Sequence, residues 1–137
     1  MNQQYWMIVS EFCALVGLED PLRICNEASF DVDDVTFALA CRESPGCDSF
    51  LLIADVATLF DEAARVSCEL LSDSVREMVA RDACFCISDV SGAVLHLQRF
   101  PIQQTTPQSI VDQLQITVGV VKAVRETIGD VQRVARP

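Results

Sequence analysis

The residues of this chain that could do chemistry are few and poorly partnered. His96 lies between Leu95 and Leu97 in a strand-like run. A general base or metal ligand there would need a partner within reach, and none adjoins it in sequence. A surface or half-buried strand histidine is the plainer reading. Cys84 and Cys86 are two residues apart and share one face of a strand. They could form a thiol pair for a soft metal or for redox sensing. No basic residue adjoins them to favour the thiolate, so packed core or interface thiols fit better. Asp31, Asp33 and Asp34 resemble the opening of a calcium loop, but the glycine and the terminal glutamate of such a loop are missing, and a solvated turn is the better account. The chain has no G-x-S-x-G, no phosphate-binding loop and no G-x-G-x-x-G. These residues give no ground to expect a catalytic residue, a metal or a cofactor.

Composition points the same way. The 137 residues suit one domain spanning 1–137, and 50% hydrophobic residues are enough for a core. The net charge is −10, and its distribution is uneven: residues 1–105 hold 17 acids against 6 arginines, whereas residues 106–137 hold 3 acids against 4 bases. An acidic body repels nucleic-acid phosphates and anionic membranes. It favours a basic partner, or simply keeps the protein in solution. The N-terminus lacks the basic region of a signal peptide, Glu11 interrupts the first apolar stretch, and no apolar run approaches membrane-helix length. A soluble cytoplasmic protein is expected. The seven cysteines are odd in number and include no C-x-x-C; in that compartment they read as reduced, small hydrophobes.

The elements that must position these residues follow from periodicity. Residues 3–16 form a helix with Tyr5, Ile8, Val9, Phe12, Leu15 and Val16 on one face; Gly17 stops it and Pro21 is expected to prevent resumption. Leu22–Cys25 and Phe30–Val32 are candidates for an interrupted first strand. Val35–Cys41 alternates with period two, and Phe50–Val56 is apolar on both faces, as in a central strand. A helix opening at Leu59 or Asp61 carries Ala64, Cys68, Leu71, Val75 and Met78 on its stripe. Cys84–Asp89 and Ala93–Phe100 form a hairpin around Ser91-Gly92. Thr106-Pro107 then opens a long helix with Ile110, Val111, Leu114, Val118, Val121, Val124 or Arg125, Ile128 and Val131 as its stripe. The order α-β-β-β-α-β-β-α defines an α+β class.

Several segments in this order resemble the class I type III secretion chaperones, the Tir chaperone or CesT-like family. They are Phe12–Leu18, Phe30–Asp33, Val35–Leu39, Phe50–Val56, Glu69–Ser72 and, most tellingly, Ile87–Leu97 leading to Phe100-Pro101-Ile102. The likeness runs from about residue 5 to 130. It implies an antiparallel twisted sheet with helices packed against it, in a homodimer. It also implies a non-enzymatic protein that binds the N-terminal region of a secreted effector in extended form, keeping it soluble and secretion-competent. The rival reading is a small cysteine-rich regulatory or thiol-redox protein.

Two surfaces are expected. The first helix and the strands after it make an apolar face too broad for a small sheet to cover, ringed by Asp31, Asp33 and Asp34. Trp6, Val9, Phe12, Val32, Val35 and Phe37 are therefore the candidate effector contacts. The apolar stripe of the second helix and the fourth strand, taken with the resemblance, gives Cys68, Leu71, Val75, Cys84 and Cys86 as the candidate homodimer contact.

Overall fold

The computed structural model describes residues 2–41, 48–58, 83–87 and 91–135, with side chains through 130. Helix α1 covers Gln3–Val16, opened by Asn2, whose Oδ1 accepts the Tyr5 N–H at 3.1 Å. It closes at Gly17, where φ is +80°, a conformation glycine adopts without a Cβ penalty. The Leu18 N–H then donates to the Cys13 carbonyl at 2.9 Å.

The next segment departs from expectation. Leu22–Cys25 is helical, in a short helix α2 over Pro21–Cys25. Asp20 caps it through the Arg23 N–H, and Pro21 occupies the first turn, where proline's missing N–H costs nothing. Pro21 thus starts a helix instead of blocking one.

The strands are β1 (Phe30–Val32), β2 (Val35–Ala40), β3 (Ser49–Thr58), β4 (Ala83–Ile87) and β5 (Ala93–Pro101). They pair antiparallel throughout, in the order β1-β2-β3-β5-β4. The α+β antiparallel reading holds, with α2 as an added element. The expected second helix, from Leu59 or Asp61, lies outside the described residues. A turn of 3-10 helix at Ile102–Gln104 leads to α3, Pro107–Ala135. At its start Thr106 Oγ1 accepts the Ser109 N–H at 3.2 Å, while Ser109 Oγ accepts the Thr106 N–H at 3.1 Å. This reciprocal pair satisfies two donors that a helix start leaves orphaned.

Alternation along β2, β3 and β5 puts Val35, Phe37, Leu39, Phe50, Leu52, Ala54, Val56, Val94 and Phe100 on one buried face. Tyr5, Val9 and Phe12 of α1 and Ile110, Leu114 and Val121 of α3 complete that core. Two aromatic groups knit it together. Phe50 lies 5.2 Å from Tyr5 and 5.3 Å from Phe100, and Phe30 lies 5.8 Å from Phe12 and 5.9 Å from Phe37, centroid to centroid. The opposite sheet face carries Ala38, Leu51, Ile53, Leu95 and Leu97, all half-buried.

One irregularity fixes the far end of α3. The β3–β5 register shifts between Asp55 and Ala57, so Val56 is the extra residue of a bulge. Arg125 covers it: Nε donates to the Val56 carbonyl and the terminal nitrogens to the Asp55 and Asp34 carbonyls. Sequence periodicity left the stripe position open between Val124 and Arg125; both are half-buried.

Candidate functional site

Strand β1 ends the sheet, with no strand on its outer side among the described residues. Val32 pairs with Val35 across a two-residue turn in which Asp33 and Asp34 have φ of +49° and +66°. Both residues in the left-handed region define a type I′ hairpin. Asp31 and Thr36 are the next pair along. The alternation of an antiparallel ladder turns the Asp31 N–H and C=O away from β2, toward the open edge. Its side chain is fixed by Thr36, whose hydroxyl donates to Oδ1 at 2.7 Å.

Beside this edge lies a cleft of about 270 Å³. Leu18, Ile24, Ala28 and Phe30 give it apolar walls; Glu19, Asp20, Arg23 and Asp31 supply its charge. Apolar side chains are also exposed on the two helices that precede β1. Leu15 on α1 is 57% exposed and Leu22 on α2 is 53% exposed. Sequence periodicity puts Leu15 and Val16 on one face of α1 with Tyr5, Ile8, Val9 and Phe12, and Cys13 beside it. On that face Leu15 and Val16 are exposed, and Cys13 beside it is buried in the core. The last apolar turn of α1 is thus uncovered.

The six candidate effector contacts divide. Val9, Phe12 and Val35 are 0% exposed and Phe37 is 1% exposed. A side chain with no accessible surface touches no partner, so these four are corrected to core residues. Phe12 and Phe37 flank Phe30 and so set β1 in place from inside. Trp6 and Val32 are half-buried and pack against the core with part of each side chain open. The reading missed the α2 corner because its residues come from a loop, a five-residue helix and a loop, which carry no periodic signal. The Asp20-Pro21 pair could have located it.

Of the candidate dimer contacts, Cys68, Leu71 and Val75 lie outside the described residues. Cys84 is half-buried and Cys86 exposed on β4, the other edge strand among the described residues, opposite Leu97 and Leu95 of β5.

Cys13, Cys25 and His96 are muted by burial. Desolvation pushes the Cys25 thiol up to about 11, with Cys13 and Cys41 adding to it, and burial raises Cys13 as well. Such thiols stay protonated near neutral pH and make poor nucleophiles. His96 is 3% exposed, a correction to the expectation of a surface or half-buried residue. It stands opposite the small Ala54 and meets Phe85 edge-on at 5.3 Å, with Nδ1 unpartnered. Desolvation lowers its pKa. Among the described residues no group of three or more His, Cys, Asp or Glu side chains could hold a metal, and no helix is long and apolar enough to cross a membrane.

No family model matches the sequence, and no curated protein matches it. Solved structures do. A chain of the HopA1–SchA chaperone–effector complex aligns with a TM-score of 0.68 at 15% identity, over 90% of this chain and 94% of that one. A chain of the ExsC–ExsE complex gives 0.72 at 20% identity, over 93% and 96%. A chain of the Yersinia pestis type III secretion chaperone SycH in complex with a stable fragment of YscM2 gives 0.59 at 12% identity, over 87% and 98%. At these identities the likeness is one of fold, and that fold is found in a chain of a solved chaperone–effector complex and in a structure of a type III secretion chaperone.

Proposed function

We propose that this protein is a class I type III secretion chaperone. It acts in the bacterial cytoplasm without catalysis and holds the N-terminal region of a secreted effector as an extended chain. The observation that carries this reading is the open β1 edge beside a cleft with apolar walls, together with the exposed apolar side chains Leu15, Val16 and Leu22 on the two helices that precede β1. An extended segment added at a sheet edge gains main-chain hydrogen bonds, and neighbouring pockets select its side chains. Trp6 and Val32 remain contact candidates; the other contacts shift to the corner formed by α1, α2 and β1. The fold shared with chaperone–effector complexes supports the same reading.

The second part of the proposal is a homodimer. The half-buried apolar sheet face, with Leu95, Leu97 and Ile53 next to Cys84 and Cys86 on the β4 edge, suits a second copy of the chain. Cys68, Leu71 and Val75 stay part of this proposed contact.

The test is co-expression with a secreted protein encoded beside this chain, followed by hydrogen exchange on the complex and on the free protein. Residues 28–32 should gain protection, and the partner should lack a globular protected core. A partner that folds into a globular domain on binding, or no added protection at β1, would overturn the reading.

A further inference from the structure

Resting on that reading, we propose that the cleft beside β1 is selective for a basic segment, one that alternates apolar residues with lysine or arginine. Residues 18–34 hold Glu19, Asp20, Glu27, Asp31, Asp33 and Asp34 against the single base Arg23. Three of these carboxylates line the cleft itself, above the apolar surfaces of Leu18, Ile24, Ala28 and Phe30. Two of them are held locally. One oxygen of Asp31 is taken by the Thr36 hydroxyl and one of Asp20 by the Arg23 N–H, leaving a second oxygen on each.

The edge itself supplies little discrimination. β1 has three residues, and only Asp31 turns its N–H and C=O outward. A main-chain pair of this kind accepts any sequence. Choice among segments therefore falls to side chains. In a strand laid along β1, successive side chains alternate between faces. The set on the Phe30 side meets the apolar walls and the carboxylates at the cleft rim, and the residues between them pass Asp31, which alternation puts on the other face of β1. An acidic residue there meets like charge, whereas a lysine or arginine meets complementary charge and is steered in.

The experiment uses two short fluorescein-labelled peptides with the same alternating valines, one with lysine and one with glutamate at the intervening positions. Each is titrated with the full chain and followed by anisotropy. The lysine peptide should bind and the glutamate peptide should not. Glu19→Lys and Asp31→Lys, both at exposed sites, should each weaken the lysine peptide roughly tenfold. Asp112→Lys, a charge reversal on α3 away from the cleft, should leave it unchanged. Equal weakening by Asp112→Lys would show attraction to net charge alone and overturn the proposal. Equal binding of both peptides, lost in Leu22→Asp, would overturn the charge selectivity and leave the edge reading intact. No binding of the lysine peptide to the unmodified chain also overturns the proposal. The edge reading is then decided separately, by hydrogen exchange on the co-expressed complex.

Discussion

The Nε of Arg125 donates to the carbonyl of Val56, 69 residues earlier in the chain, at 2.6 Å. The bulge at Val56 breaks the ladder, and a bulged carbonyl needs another donor. The same guanidinium reaches the Asp55 and Asp34 carbonyls, each at 3.0 Å. One side chain thus ties α3, the β3 bulge and the β1–β2 turn together. Arg125→Lys keeps the charge but cannot reproduce the planar fork. It should cost about 2 kcal/mol, allowing for partial exposure of the site. Urea denaturation measures this, and an unchanged midpoint would refute the tie.

Phe12→Ala and Phe37→Ala should act on stability. Each truncates a fully covered ring beside Phe30 and should cost about 3 to 5 kcal/mol. Leu22→Asp changes an exposed side chain and should shift stability by about 0.5 kcal/mol or less. It should nevertheless abolish partner binding in calorimetry. A Leu22→Asp variant that binds normally would remove the α2 corner from the contact surface.

His96 makes stability depend on pH in a defined direction. Burial lowers its pKa below the ordinary 6.5, so the unfolded chain takes up the proton first as pH falls. Its contribution is constant above about pH 6.5 and destabilises the fold progressively below that, until the folded pKa is reached. His96→Leu should flatten this part of the curve. Thermal melts across mildly acid buffers test it; an identical acid dependence in the variant would place the titration elsewhere.

The cysteines should differ sharply in alkylation. Cys13 and Cys25 are buried with raised pKa values and should resist iodoacetamide until the protein unfolds. Cys86 is exposed in the single chain. If the β4 face joins two copies, its labelling should speed up on dilution. Peptide mapping at two protein concentrations reads both effects. A Cys86 rate independent of concentration would remove that thiol from the proposed interface.

Regular elements were legible in the sequence because burial is periodic in them. The alternation of Val35, Phe37 and Leu39 defines β2, and the Ile110–Leu114–Val118–Val121 stripe defines α3. Function was harder to place, because an apolar stripe states that a face is covered but not by what. Phe12 and Phe37 looked like groove residues and are covered by their own sheet and helix. The α2 corner shows a different limit. Asp20-Pro21 has the same cap-then-proline form as Thr106-Pro107, which opens α3. The five residues that follow are too few to show a period.

The brevity of β1 has a further effect, on polymerisation. A long bare edge lets copy after copy add to a sheet, and that is how stacked fibrils grow. With three residues and a charged type I′ tip at Asp33-Asp34, this edge presents one outward N–H and C=O pair and then runs out. An edge this short has room for one added strand segment but not for a growing stack of copies.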